Sequence, residues 1–105
     1  MYLLHFWFEH GGGCLWSKNR DASDAFGYKV RYQDLPLSDS LKEMLAALEA
    51  RYATYLNWND PAAPSPWTSE EKQTFLTDAE AAYHTLCEEL GHRFLIENEL
   101  SACVK

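Results

Sequence analysis

Several kinds of residue are scarce in this chain, and each shortage excludes a class of protein. Cysteine occurs only three times in 105 residues, at wide spacing, which argues against the disulfide framework of a small secreted domain. No apolar run approaches the roughly 18 residues that a transmembrane helix needs. The apolar segment 1–9 lacks a basic leader and contains His5 and Glu9, so we interpret it as a strand rather than a signal peptide. We therefore expect a cytoplasmic protein with free thiols.

Basic residues are also scarce, chiefly in the second half of the chain. Residues 1–59 contain seven acidic and six basic side chains, whereas residues 60–105 contain nine acidic and three basic ones. Almost all of the net charge of −7 therefore lies in the C-terminal half. Lys29 and Arg31 form a small basic strip, far below what binding to nucleic-acid phosphates requires. The charge distribution indicates an acidic binding module with a positively charged partner.

A complete catalytic motif is missing as well. The run His10-Gly11-Gly12-Gly13 is similar to the loop that forms the oxyanion hole of lipase-type hydrolases, where backbone N–H groups face a developing negative charge. Those enzymes also need a Gly-x-Ser-x-Gly nucleophile elbow, which this chain lacks, and a much longer fold. We interpret the three glycines as the reversal of a β-hairpin, with anion binding by their amides as the alternative.

Cys14 raises the possibility of thiol chemistry, because His5 or His10 could lie beside it across the hairpin. A negative electrostatic field opposes formation of the thiolate, and small buried cysteines are common on strands. A small thiol-dependent enzyme is therefore the alternative function rather than the leading one.

Metal binding by histidine and cysteine is a further alternative. His84 and Cys87 lie three residues apart, but zinc sites usually show two such short-spaced pairs, and here there is one. The remaining candidates are scattered along the chain. We predict neither a metal nor another cofactor; the full set of candidate ligands is His5, His10, Cys14, His84, Cys87 and His92.

What the sequence does contain is enough apolar material for one domain over residues 1–105. Hydrophobic residues make up 47% of the chain, and fifteen side chains are aromatic. The patterns predict an α+β fold in the order β-β-β-α-α-β. This would be a small antiparallel or mixed sheet of three to four strands with two long helices packed on one face. The predicted strands are 2–9, 14–17, 28–33 and 94–96, and the predicted helices are 39–57 and 69–90.

Capping signals support both helices. Ser38 or Ser40 is placed to cap the first helix, and Ser40 with Glu43 matches a capping box. Thr68 with Glu71 matches a second one, and Gly91 ends the helix that follows. Three prolines within 58–67 exclude helix between the two, and a short helical turn is expected at 21–26.

The second helix carries the candidate interaction surface. A row of carboxylates lies on its predicted outward side, and this is either an ordinary solvated face or an acidic docking stripe that steers a basic partner. Two tryptophans flank the preceding proline-rich connection, and they either anchor a partner or cover the core. The candidate partner-binding residues are Glu70, Glu71, Asp78, Glu88, Glu89, Trp58 and Trp67.

One stretch of the chain is similar to a known group of proteins. It comprises Asp34-Leu35-Pro36-Leu37-Ser38, the helix that carries Tyr52 to Trp58, and the run Pro61, Pro64, Ser65, Pro66, Trp67 and Thr68. In their general character, residues 34–100 resemble small acidic bacterial immunity proteins of contact-dependent growth inhibition and related polymorphic toxin systems.

The resemblance implies a protein that binds and neutralises a basic toxin domain, such as a nuclease, by occlusion and charge complementarity without turnover. It assigns a role to no individual residue. A regulatory adaptor that is unrelated to toxins is the remaining alternative.

Overall fold

The structure is a computed structural model that describes residues 1–9 and 13–104. Three strands and three α-helices lie in these ranges, together with short 3₁₀ turns. The strands are β1 (Tyr2–Phe6), β2 (Leu15–Ser17) and β3 (Phe94–Asn98). The helices are α1 (Arg20–Phe26), α2 (Asp39–Tyr52) and α3 (Ser69–Leu90). Within the described ranges, none of the helices has the length and apolar character needed to cross a membrane.

The sheet is mixed and has the strand order β2-β1-β3. β1 runs antiparallel to β2, with Phe6 opposite Leu15, and parallel to β3, with His5 opposite Glu97. A parallel pair cannot be joined by a tight turn, so the chain between the two strands makes a long crossover that includes both long helices. The N-terminal strand therefore becomes the centre of the sheet.

Both long helices pack on one face of this sheet. Leu4 and Phe6 of β1 are fully buried, and Phe8 follows in the same direction. The Phe6 ring lies 5.8 Å from Tyr83 of α3, and the Phe8 ring lies 5.9 Å from Tyr52 of α2. The buried stripes of the helices face this aromatic cluster and consist of Leu41, Leu45, Leu48 and Tyr52 on α2, and Phe75, Ala79, Ala82, Leu86 and Leu90 on α3. The predicted α+β class with two long helices on one face is confirmed.

The predicted strand over 28–33 needs correction. Only an isolated bridge between Trp16 and Lys29 forms there, and a 3₁₀ turn follows at Tyr32–Asp34. The Val30 amide still donates to Leu15 at 3.0 Å, but the chain then turns, and the Tyr32 hydroxyl bonds to Glu49 on α2. The alternating pattern indicated a strand, but the segment forms a 3₁₀ turn at Tyr32–Asp34, where Tyr32 is hydrogen-bonded to Glu49 of α2.

The first long helix begins as predicted but ends earlier. α2 stops at Tyr52 rather than 57, because the amides of Thr54 and Tyr55 close tighter turns onto the carbonyls of Arg51 and Tyr52. Its cap is Ser38, whose hydroxyl accepts from the Leu41 amide at 3.1 Å, so the predicted Ser40 capping box is wrong.

The other helical predictions agree closely with the structure. The Thr68 capping box is present, and α3 ends at Gly91 with φ of 72°, a left-handed conformation that favours glycine. The expected turn at 21–26 is α1, and the last strand extends two residues beyond 96. The predicted glycine reversal lies mainly outside the described residues, which resume at Gly13.

Candidate functional site

The five candidate carboxylates of α3 divide into two groups. Successive residues of an α-helix rotate by about 100°, which places Glu70 and Glu88 in the middle of the outward face. Glu71, Asp78 and Glu89 lie nearer the edge of the helix. All five belong to one helix, as predicted, but they do not form a uniform stripe.

The three edge carboxylates contact other parts of the same chain. Asp78 accepts a hydrogen bond of 2.7 Å from Arg51 of α2. Glu89 accepts from both the amide and the hydroxyl of Ser38, at 2.6 and 2.8 Å. Glu71 accepts from the Thr68 amide within the capping box. These contacts tie α3 to α2 or complete its own N-terminus, so part of the acidic surface has a structural role.

Glu70 and Glu88 differ from the edge carboxylates. Both are exposed, and neither has a side-chain hydrogen bond or ion pair within the described part of the chain. They lie five helical turns apart on the same face, which corresponds to about 27 Å along the axis. They are therefore the members of the predicted stripe whose charge is fully available to a partner.

The two tryptophans also differ. Trp67 is 9% exposed, its indole N–H donates to Thr54 at 2.8 Å, and its ring packs against Tyr55 and Phe75. Trp58 is 60% exposed, although its indole N–H donates to the Ala53 carbonyl. Trp67 thus supports the core at the start of α3, and Trp58 presents its ring at the surface.

Cys14 is buried and begins a partly buried polar network that extends to α2. Its Sγ is 3.0 Å from the Tyr32 hydroxyl, which donates to Glu49 Oε2 at 2.6 Å, and the Gly13 amide donates to the other oxygen of Glu49. Burial raises the pKa of the Cys14 thiol far above its ordinary value, and it raises the pKa of Tyr32 in the same way. The thiol is therefore protonated at neutral pH.

This network opposes the thiol-dependent enzyme. A nucleophilic cysteine needs exposure and a neighbouring base, whereas the Cys14 side chain is fully buried and bonds to a phenol. His5, one of the two predicted bases, pairs with Glu99 through Nδ1 at 2.9 Å. His10, the other predicted base, lies outside the described residues.

The structure assembles one cluster that the sequence analysis missed. His5, Glu97 and Glu99 offer ligand atoms within 4.8 Å of one another. The parallel register of β1 and β3 creates this cluster by placing His5 opposite Glu97. A hydrogen bond from Lys18 holds the pKa of the exposed Glu97 carboxyl below its ordinary value. Glu97 is thus already paired with Lys18, and Glu99 is already hydrogen-bonded to His5.

The other candidate metal ligands among the described residues do not form a group of three. His84 is exposed and lies 3.8 Å from Glu80 one turn away, Cys87 is half-buried, and His92 sits on the turn after α3. Among the described residues, only the His5 cluster brings three candidate ligands within reach of one ion. His84 and Cys87, the short-spaced candidate pair of the sequence, are not part of that cluster.

Comparison with known families agrees with the resemblance in the sequence. The model of the family described as Serratia CdiI immunity protein-like matches residues 4–98. This range contains all three helices and most of the sheet, including the whole of β3. Among curated proteins, none matches the chain. Because the family model covers nearly the whole sequence, the chain belongs to the Serratia CdiI immunity protein-like family.

Proposed function

We propose that this protein is an immunity protein that binds a toxin domain and neutralises it without turnover. The family match over residues 4–98 is the observation that carries this proposal. The buried, protonated Cys14 adds support, because it leaves the competing thiol chemistry without a nucleophile at neutral pH. Inhibition then depends on binding alone, and the protein occludes a surface that the toxin needs.

The partner in this proposal is a basic toxin domain, such as a nuclease. A nuclease groove is positive because it holds phosphates, and a protein with a net charge of −7 is its electrostatic complement. Complementary charge mainly accelerates encounter and selects the partner. Membranes and nucleic acids are not among the partners that we propose.

The proposed contact surface is the outward side of α3 together with the connection that precedes it. Glu70 and Glu88 contribute uncompensated charge, and Trp58 contributes an exposed aromatic ring of the kind that anchors interfaces. Glu71, Asp78 and Glu89 add negative charge at the edge while holding the helix in place. Trp67 acts from the core by supporting this surface.

We also propose that the protein acts in the cytoplasm, where the toxin would act. Its three cysteines are free thiols rather than disulfides, as a reducing compartment favours.

A growth assay tests the function directly. Cells that express the cognate toxin domain should grow when the wild-type protein is co-expressed and should stop growing without it. A variant with Glu70, Glu71, Asp78, Glu88 and Glu89 changed to the corresponding amides should protect less, because steering is weakened.

Glu43→Gln is the matched control, because Glu43 is exposed on α2 and lies outside the proposed surface. It should protect like the wild type, and circular dichroism should show that every variant is folded. Failure of the wild type both to protect cells and to bind the purified toxin domain would contradict the proposed function.

A further inference from the structure

A cavity of about 550 Å³ opens at the carboxyl end of β1. Its sides are the aromatic residues Trp7, Phe8 and Tyr52, and two carboxylates, Glu9 and Glu99, line the same cavity. The turn at Ala102 and Cys103 completes it. Its volume lies within the range of about 300–1,000 Å³ that is usual for ligand sites. We call it the Glu9–Glu99 pocket.

The two carboxylates are the charged side chains among the described residues that line this pocket. Among the described residues, 1–9 and 13–104, no lysine, arginine or histidine lines it. Glu9 is exposed, and Glu99 is half-buried with His5 bonded to one of its oxygens. Two carboxylates beside aromatic rings form an environment that attracts a cation.

The pocket is also held in shape before any partner arrives. The Trp7 indole N–H donates to Glu9 Oε1 at 3.1 Å, and the Trp7 ring stacks on Trp16 at 5.8 Å between centroids. On the opposite side, the Tyr52 hydroxyl donates to the Cys103 carbonyl at 2.8 Å. Binding therefore costs little side-chain entropy at this site.

Other cavities in the described part of the chain have less suitable chemistry for a basic partner. One, of about 700 Å³, combines Asp21 and Asp24 with Arg93, so its charges oppose each other. Another, of about 370 Å³, is bordered by three basic residues, Lys29, Arg31 and Lys42, against one acidic residue, Glu49, and is less favourable for a cation. Of these three cavities, the Glu9–Glu99 pocket is the one that joins aromatic walls to carboxylates with no cationic side chain among its described lining residues.

We propose that the Glu9–Glu99 pocket receives an arginine side chain of the toxin, an inference that rests on the proposed function. A guanidinium is planar, so it can stack on the Trp7 indole while its N–H groups reach carboxylate oxygens. A lysine ammonium is a compact, strongly hydrated charge and would use the aromatic walls less well. Arginine is also among the residues that contribute most to protein interfaces.

The pocket can be tested without the toxin. The probe is N-acetyl-arginine amide, titrated into the full-length protein while the Trp7 indole N–H resonance is followed by NMR. The Trp7→Phe variant assigns that resonance. We expect saturable shifts with the arginine probe and at least tenfold weaker binding of N-acetyl-citrulline amide, which has nearly the same shape but no charge.

Variants show whether the arginine probe binds in the Glu9–Glu99 pocket. Glu9→Gln and Glu99→Gln each keep a hydrogen-bond acceptor for Trp7 or His5 and remove one charge, so each should weaken binding of the arginine probe at least fivefold. Glu43→Gln, with the same loss of charge on α2, should bind it like the wild type. Equal binding of the arginine and citrulline probes, or no saturable shift in the wild type, would overturn the proposal without depending on any variant.

The growth assay separates this proposal from the proposed function. If the wild type protects cells but does not bind the arginine probe, the pocket assignment fails and the immunity function stands. If the wild type binds the probe but neither protects cells nor binds the toxin domain, the function fails, and an arginine of the toxin cannot be the occupant.

Discussion

Cys14 and Tyr32 show how a single buried contact can give stability a dependence on pH. Both groups have a pKa in the folded protein that is raised above the ordinary values of 9.0 and 10.0. The unfolded chain therefore releases these protons at a lower pH than the folded protein does. The stability they contribute is complete below about pH 9 and is lost as the pH rises above that value.

The Tyr32→Phe variant tests this linkage. At pH 7 it should lower the free energy of unfolding by about 1–3 kcal/mol, because Glu49 and Cys14 lose a buried hydrogen-bond partner. Above pH 10 its stability should fall less steeply than that of the wild type. The slopes should differ by up to about 1.4 kcal/mol per pH unit, the contribution of one proton.

Urea unfolding between pH 7 and pH 11 measures both effects. Tyr52 and Cys103, whose pKa values are also raised by burial, provide a background common to the two proteins. If the free energy of unfolding falls with pH equally steeply in wild type and variant above pH 10, the fold does not protect Tyr32 from ionisation.

At the scale of elements, the N-terminus of α2 is capped by Ser38 and not by the nearby candidate Ser40. Ser38 caps the helix and also contacts Glu89 of α3, so it connects the two long helices. Ser40 lies within the first turn and is exposed. The two residues have the same chemistry and nearly the same position, which makes them a matched pair.

Ser38→Ala should lower the free energy of unfolding by about 1–2 kcal/mol, since it removes a cap and a bond between helices. Ser40→Ala should change it by less than about 0.5 kcal/mol. Chemical denaturation of the two variants in parallel measures the difference. A larger loss with Ser40→Ala would show that the helix begins two residues later than it does in this structure.

At the scale of the whole molecule, the negative charge is concentrated in the C-terminal half of the chain. The rate of association with the toxin should therefore depend on salt. We expect the association rate to fall steeply as ionic strength rises, because salt screens the long-range attraction. The dissociation rate should change much less, since it depends on the contacts that are already formed. Surface plasmon resonance between about 50 and 500 mM salt provides both rates.

Variants at opposite ends of α3 refine this test. Glu70→Gln and Glu88→Gln should each reduce the association rate at low salt and have little effect at high salt. Glu43→Gln should reduce it less, because its carboxylate lies on α2 outside the proposed surface. An association rate that is independent of salt for all four proteins would mean that the negative field does not guide binding.

Local sequence signals predicted much of the secondary structure. The Thr68 cap, its return contact from Glu71 and the glycine after Leu90 are all close in sequence, so α3 could be recognised with nearly correct ends. The 28–33 segment shows the limit of this approach. Its alternation predicted a strand, but Tyr32 instead turns towards Glu49, and no local pattern encodes that contact.

The sequence by itself determined the net charge, its concentration in the C-terminal half, the two long helices and the α+β class, because each depends on composition or on neighbours a few residues apart. Tertiary structure decided which charges remain available. It paired Asp78 with Arg51, buried Trp67, and brought Glu9 and Glu99 to one pocket although 90 positions separate them. The parallel pairing of the first and last strands is the physical reason, since register across a sheet brings together residues from opposite ends of the chain.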